Sequence, residues 1–111
     1  MPKTVRFHEL GGPEKLRIEE TGARSPGKGE VKLRVKAVGL NRAEALYVRG
    51  HYLEQARLPS GIGYEASGIL EAVGANVDRT LVGKNAATVP GFSMAKYPVL
   101  GEEAIVPAKF F

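Results

Sequence analysis

Apolar and polar residues alternate along several short stretches of this sequence. The clearest stretch covers residues 30–38, where apolar positions alternate with basic ones: Val31, Leu33, Val35 and Ala37 against Lys32, Arg34 and Lys36. Because successive side chains of a strand point to opposite faces, this pattern predicts a strand with one buried and one solvated face. Residues 4–8 and 15–19 alternate in the same way around a Gly-Gly-Pro break, which predicts two neighbouring antiparallel strands. The remaining predicted strands are residues 64–73, 86–89 and 100–106.

Residues 41–50 are the one stretch with convincing helix signals. Asn41 is a favourable N-cap, and Glu44 follows three residues later as its capping-box partner. Gly50 suits the left-handed position that follows the last helical turn. The apolar residues spaced to share one face of this helix are Ala43, Leu46 and Tyr47. We therefore expect one short helix, followed by a loop over residues 51–63.

Short strands, glycine turns and a single helix together predict the fold class. The 14 glycines of the chain fall mostly where the predicted segments end. Such a pattern is typical of a mainly β domain built as a small, partly open β-barrel. Gly68, inside the predicted strand 64–73, is expected to mark a bulge or a close backbone approach. A length of 111 residues suits one domain, which can bury roughly two thirds of its surface without a disulfide or a metal.

The charge balance and the lack of cysteine exclude several classes of site. The net charge is +4 with a sequence pI of about 9.5, but the basic residues are spread along the chain and interleaved with glutamate. This spread is typical of a solvated surface rather than of a nucleic-acid footprint. With no cysteine, the chain has no disulfide, thiolate nucleophile or cysteine-based zinc site.

No apolar run of the sequence reaches the roughly 20 residues that cross a bilayer. The N-terminus also lacks the apolar core of a signal peptide. We therefore expect a cytoplasmic protein.

Short motifs at several positions give the sequence a family resemblance. They read VGLNRAE at residues 38–44, RGHY at 49–52, PGKGEV at 26–31 and GYEASGILEAVG at 63–74, with a closing strand at 99–111. No single motif is specific, but their order and spacing extend over almost the whole chain. The sequence thereby resembles the N-terminal, GroES-like catalytic domain of the medium-chain dehydrogenase/reductase (alcohol dehydrogenase-like) superfamily, and in particular its zinc-independent quinone oxidoreductase branch.

The resemblance implies a two-domain reductase of which this chain, residues 1–111, is the substrate-side domain. Relatives continue into a Rossmann domain that binds NADPH. We expect no such domain within these 111 residues, because Gly61 and Gly63 precede a predicted strand rather than a helix and so do not form a dinucleotide-binding turn. The implied activity is hydride transfer from NADPH to a quinone, an enal or a ketone. Since the missing domain would bind most of the cofactor, we expect a fragment or a natural truncation that is inactive by itself.

Zinc-binding members of the superfamily differ from this chain at both of their ligand motifs. They carry a cysteine near the start of the helix and a histidine in a later Gly-His-Glu motif, where this chain has Asn41 and Tyr64. No zinc or other metal is therefore expected. The resemblance places Asn41 beside the nicotinamide and the substrate, as a catalytic and cofactor-binding amide. The alternative is a side chain that serves only as the N-cap of the helix.

Three tyrosines are candidates for the substrate pocket. Tyr52, the second candidate catalytic residue, matches a tyrosine that lines the pocket of quinone reductases and donates a proton in related enoyl reductases; otherwise it is a loop aromatic packed on the barrel. Tyr47 is a candidate substrate-binding residue, but relatives often have the tyrosine one position earlier, so it is alternatively a core residue. Tyr64, also assigned to substrate binding, would fill the space left by the zinc-binding histidine. Glu44 stands where relatives more often have aspartate and is interpreted as the capping-box residue.

Two other function classes stay open. The non-enzymatic alternative is a GroES-like module that binds or oligomerises through exposed edges, since Phe110 and Phe111 lie where relatives enter their second domain. Self-association into a homo-oligomer is compatible with either function. Binding of single-stranded nucleic acid would need aromatic residues among the basic ones of strand 30–38, which has none. We therefore expect a small-molecule substrate and neither a nucleic-acid nor a membrane partner.

Overall fold

The computed structural model describes residues 1–89 and 92–111 of the chain. Those residues form seven strands and one α-helix: β1 (Lys3–Phe7), β2 (Arg17–Glu20), β3 (Glu30–Gly39), α1 (Arg42–Val48), β4 (Ser60–Gly61), β5 (Glu65–Val73), β6 (Asn85–Ala87) and β7 (Glu103–Pro107). Short 3₁₀ turns occur at Pro13–Lys15, Arg79–Leu81 and Ala108–Phe110. No helix in the described ranges is long and apolar enough to cross a membrane. The predicted mainly β class with one helix is confirmed.

The strands form two antiparallel sheets, which do not close into a single barrel within the described part of the chain. The smaller sheet has the order β2-β1-β4 and the larger one the order β6-β5-β3-β7. Next to β1, the Val5 N–H donates to the Leu100 carbonyl at 3.0 Å, and Thr4 forms an isolated bridge with Gly101. The architecture confirms the partly open arrangement, and the pairing of β1 with β2 confirms the predicted first pair of strands.

The predicted elements differ from the observed ones mainly in the loops. β4 lies inside the predicted loop 51–63 and has two residues, which pair with β1. A strand this short has no pattern of its own, because it forms only by joining a partner that is distant in sequence. The predicted final strand begins later than expected, at Glu103. Positions 90 and 91, between the predicted strands 86–89 and 100–106, lie outside the described residues.

Gly68 lies at an irregular point in the pairing of β3 with β5. The register between the two strands shifts between Val35 and Ala37, opposite this glycine. A Cβ atom at Gly68 would meet the carbonyl oxygen of Arg34. The close backbone approach predicted here is therefore confirmed. This close approach helps to position the candidate site, because β3 is followed directly by α1.

Two clusters of buried side chains hold the domain together. The first lies on the larger sheet and comprises Val31, Leu33, Ala66, Leu70, Phe92, Val99, Ala104 and Val106. The second packs α1 against β1 and comprises Phe7, Tyr47, Val48, Ile62 and Met94. Tyr64 is half-buried and packs against both clusters. It therefore lies at the junction of the two parts of the core.

The basic face of β3 is less solvated than the alternation predicts. The Lys32 side chain is 13% exposed, and its Nζ lies 2.7 Å from a carboxylate oxygen of Glu103 and 3.8 Å from one of Glu71. These two carboxylates belong to the strands on either side of β3. The prediction of a solvated face is therefore wrong at Lys32, because the neighbouring strands cover the lysine and pair its charge.

Candidate functional site

The first turn of α1 is held by a capping box between Asn41 and Glu44. Glu44 Oε1 accepts the backbone N–H of Asn41 at 2.8 Å, and the Glu44 N–H donates to the Asn41 carbonyl at 3.1 Å. The Asn41 residue is half-buried, and its Nδ2 donates to Glu65 Oε1 at the start of β5 at 3.2 Å. The predicted N-cap is therefore confirmed, and the same amide also contacts β5.

The other end of α1 fixes the start of the loop that carries Tyr52. Gly50 has φ +79°, the left-handed conformation that glycine adopts most easily, as its predicted position after the last turn requires. The Gly11 N–H donates to the Val48 carbonyl at 3.0 Å, and the Leu10 side chain lies against Gly50. The backbone is thus held in place just before Tyr52.

Glu54 ties down the same loop after Tyr52. Its carboxylate accepts the Ser93 hydroxyl and the Ala95 backbone N–H, each at 2.8 Å. Both partners belong to a segment distant in sequence, so the loop is anchored to the body of the domain. Tyr52 is therefore held from both sides along the chain.

Tyr47 is fully buried and supports Tyr52 from the core side. Its ring packs edge-to-face on Phe7 and on Tyr52, with ring centroids 5.6 and 6.4 Å apart. Its hydroxyl and the Ser60 Oγ are hydrogen-bonded at 2.9 Å, and burial raises the pKa of this phenol. Direct contact between Tyr47 and a substrate stays a prediction. What the geometry provides is a rigid platform for Tyr52.

Replacing Tyr47 with Phe is expected to lower the free energy of unfolding by about 1 kcal/mol. The substitution removes the hydroxyl that bonds Ser60 but keeps the ring contacts with Phe7 and Tyr52. Ser60 Oγ keeps its hydrogen bond to the Gly61 carbonyl at 2.7 Å, so the loss stays near that of one bond. Urea unfolding followed by circular dichroism measures the change. An unaltered free energy of unfolding would contradict a stabilising role for the buried hydroxyl.

Tyr52 and Tyr64 are half-buried aromatic residues above this platform. Desolvation raises the pKa of the Tyr52 hydroxyl, and the nearby Tyr64, Glu54 and Glu44 raise it further. The phenol therefore keeps its proton at neutral pH and can donate it in a hydrogen bond. Tyr64 packs at an oblique angle on Phe92, with ring centroids 5.2 Å apart. The structure thus brings two predicted pocket residues together, next to the acidic start of α1.

Glu44 has a second feature that the capping prediction missed. The residue is 8% exposed, and its Oε2 has no hydrogen-bond partner among the described residues. Burial raises the pKa of this carboxyl; hydrogen bonds from Asn41 oppose the rise, and the charge of Glu65 adds to it. The sequence did contain a signal: Glu44 lies three residues before Tyr47 and four before Val48, so helical periodicity places it on the buried face.

The described residues fit the nicotinamide end of a dinucleotide better than its phosphates. The Asn41 amide can pair with a carboxamide, and the rings of Tyr52 and Tyr64 offer flat faces for a planar group. A phosphate at the start of α1 would bind to backbone N–H groups. The carboxyl groups of Glu44 and Glu65 lie at that end of the helix instead.

Among residues 1–89 and 92–111, no three His, Cys, Asp or Glu side chains form a group that could hold a metal ion. The absence of zinc stays a prediction.

Comparisons with known proteins point to one family. The family model described as "Alcohol dehydrogenase GroES-like domain" matches residues 27–108. A quinone oxidoreductase of Pseudomonas aeruginosa is 40% identical over 108 residues, which make up 96% of this chain and 33% of that protein. This chain spans about a third of the length of the curated quinone oxidoreductases that it matches.

Solved structures show the same fold. The Escherichia coli quinone oxidoreductase complexed with NADPH matches with a TM-score of 0.83 and 29% identity, over 97% of this chain and 32% of its own. The human synaptic vesicle membrane protein VAT-1 homolog-like protein matches with a TM-score of 0.86 and 31% identity, over 98% of this chain and 34% of its own. The two antiparallel sheets and the single helix of the described residues therefore form a GroES-like fold.

Proposed function

The chain belongs to the alcohol dehydrogenase GroES-like domain family, and from that premise we propose that it is the substrate-side domain of an NADPH-dependent, quinone-type oxidoreductase. The proposed reaction is hydride transfer from the nicotinamide to a quinone, an enal or a ketone. The observation that carries the proposal is the grouping of a half-buried amide, Asn41, with the phenols of Tyr52 and Tyr64 around α1. Relatives named quinone oxidoreductase, one of them solved with NADPH, support the substrate class and the cofactor.

Each of the three residues has a separate task in this proposal. When bound, NADPH supplies the hydride. Tyr52, whose raised pKa keeps its hydroxyl protonated, donates to the substrate oxygen on which negative charge develops. Asn41 orients the nicotinamide carboxamide, because its side chain can donate and accept. Tyr64 packs on the substrate and excludes water, with Phe92 behind its ring. The proposed chemistry needs no zinc.

A second, nucleotide-binding domain would hold the phosphates of the cofactor. Residues 1–111 are, in this proposal, one domain of a two-domain reductase. The isolated chain would then have negligible turnover, because hydride transfer requires both reactants in one cleft. A cytoplasmic location, a small-molecule substrate and self-association into a homo-oligomer belong to the same proposal.

A chimera tests the proposed activity. In it, this chain replaces the matching third of the Pseudomonas aeruginosa quinone oxidoreductase. We expect the chimera to oxidise NADPH with duroquinone, a fully substituted quinone with no free ring position for lysine to attack. The chain of 111 residues alone should give no turnover above background. A folded chimera without activity would contradict the proposal and favour the non-enzymatic binding module.

A binding measurement keeps the test independent of how well the chimera folds. Duroquinone added to the ¹⁵N-labelled chain should shift the NMR signals of the Asn41 side chain and of the Tyr52 and Tyr64 backbone amides. The internal control is a surface cleft of about 550 Å³ lined by Thr21 and Arg24, among other residues, and by none of these three. Shifts confined to that cleft would place the ligand outside the proposed site and overturn the assignment of the three residues.

A further inference from the structure

The loop that carries Tyr52 depends on one side chain for its hydrogen bonds. Residues 52–58 form no backbone–backbone hydrogen bond within the described part of the chain. The side-chain hydrogen bonds that reach this stretch from described residues are two, and Glu54 accepts both. Leu53, next to Tyr52, is 97% exposed, so burial does not hold that side chain in place either. The attachment of the loop to the domain therefore passes through Glu54.

The partners of Glu54 belong to a well-supported turn. Its Oε2 accepts the Ser93 hydroxyl and its Oε1 accepts the Ala95 backbone N–H, each at 2.8 Å. The turn is closed by the Tyr97 N–H, which donates to the Ser93 carbonyl at 2.9 Å, and Met94 is fully buried in the second cluster. Hydrogen bonds to a charged carboxylate are stronger than those between neutral groups. Glu54 therefore fixes the loop to a rigid part of the core.

The Tyr52 side chain takes its position from this loop. Its ring packs on the second cluster and contacts Tyr47 with centroids 6.4 Å apart, towards the far end of the range of roughly 4.5–7 Å for aromatic pairs. Its hydroxyl has no hydrogen-bond partner among the described residues that would fix it directly. A general acid has to lie within hydrogen-bond reach of the reacting oxygen. The place of the phenol therefore depends on the backbone of the loop.

We propose that Glu54 is a positioning residue for Tyr52, which holds the loop so that the phenol stays within reach of the substrate oxygen. The inference rests on the proposed function and deepens it by naming a residue on which proton donation depends. Glu54 exchanges no proton in this role and acts only through the two hydrogen bonds that it accepts from Ser93 and Ala95.

The chimera measures the dependence on Glu54 as a rate. Glu54→Ala removes both hydrogen bonds and should lower kcat with an enal about 10-fold at unchanged KM, a smaller loss than that of the acid itself. Turnover with duroquinone should change far less. Glu54→Gln should recover most of the rate, because its amide can accept the Ala95 N–H and donate to the Ser93 hydroxyl. Gln55→Ala, which truncates an exposed side chain on the same loop, is the matched control and should leave both rates unchanged.

A double substitution separates positioning from a general loss of structure. In a chimera that already carries Tyr52→Phe, Glu54→Ala should cause no further loss with the enal, because the hydroxyl that it positions is gone. An equal loss in both backgrounds would show that Glu54 acts independently of the Tyr52 hydroxyl and would overturn the inference. An unchanged kcat, or the same loss with duroquinone as with the enal, would overturn it as well.

The position of Tyr52 can also be measured without enzymatic activity. In the isolated chain, nuclear Overhauser effects (NOEs) between the rings of Tyr52 and Tyr47 should weaken in Glu54→Ala and return in Glu54→Gln. NOEs between Phe7 and Tyr47 should stay in every variant and show that the core is folded. Ser93→Ala removes one of the two bonds and should weaken the Tyr52 NOEs less, which provides a milder variant if Glu54→Ala does not fold.

The two measurements separate failure of the inference from failure of the proposed function. Tyr52 NOEs of wild-type strength in folded Glu54→Ala and Ser93→Ala would show that the loop keeps its place without these bonds, and the inference would be wrong. If the unsubstituted chimera folds but is inactive, the proposed function fails and the effect on rate fails with it. The NOEs still report whether Glu54 holds Tyr52 in place.

Discussion

Tyr52→Phe is expected to lower the turnover of the chimera about 10²-fold with an enal substrate, the usual scale for loss of a general acid. The substitution removes the hydroxyl that we assign to the developing oxyanion. It keeps the ring, whose edge-to-face contact with Tyr47 holds it in place. Steady-state NADPH oxidation measures the loss. Folding should be unaffected, so the urea midpoint of the isolated chain should match that of the wild type.

Substrate choice and a second tyrosine provide the controls. Quinones accept hydride readily without a dedicated acid, so turnover of Tyr52→Phe with duroquinone should change far less than turnover with the enal. Tyr97→Phe removes the hydroxyl of a half-buried tyrosine that packs on the first cluster and has no task in the proposal, and it should leave both rates unchanged. If Tyr52→Phe has wild-type turnover with every substrate, Tyr52 belongs to the scaffold and its catalytic assignment is wrong.

Gly68→Ala is expected to lower the free energy of unfolding by about 3 kcal/mol, the upper end of the usual cost of overpacking. The new Cβ would meet the Arg34 carbonyl and come within 3.0 Å of the Lys36 nitrogen. Both obstacles are backbone atoms, so no side-chain rotation relieves the clash, and β3 must move away from β5. Urea unfolding of the isolated chain measures the loss.

Gly22→Ala is the matched control for that substitution. A Cβ atom at Gly22 would have nothing within 4 Å, so the same chemical change occurs without a steric obstacle. Its effect should stay within about 0.5 kcal/mol, as is usual for surface substitutions. Equal free energies of unfolding for the two variants would show that the strands accommodate a methyl group at Gly68.

Features set by near neighbours in sequence could be predicted. Asn41, Glu44 and Gly50 lie within one short segment, and the capping box and left-handed glycine that they predict are both present. Gly68 could also be identified, because a glycine inside a strand pattern often marks a bulge or a close approach of two backbones. These features depend on the preferences of single residues and on contacts within a helical turn.

Features set by distant pairing could not be predicted. Lys32 has the alternation of a solvated residue, but Glu71 and Glu103 reach it from strands that lie far away in sequence. The hydrogen bond from the Asn41 amide to Glu65 at the candidate site could not be predicted either, because the two residues lie far apart in sequence. The burial of Glu44 is an intermediate case: helical spacing indicates the buried face, but the missing partner of its Oε2 depends on the whole surroundings.

The position of β1 has a practical consequence for drawing domain boundaries. This strand lies outside residues 27–108, the segment that the family model matches, yet it is the central strand of the smaller sheet. A protein trimmed to the matched segment would lose the only strand that pairs with β4 in the described residues, as well as the Phe7 ring under Tyr47. It would also lose the Gly11 contact at the end of α1. The unit that folds is therefore larger than the unit that sequence comparison detects, and any cut for expression or domain exchange belongs upstream of β1.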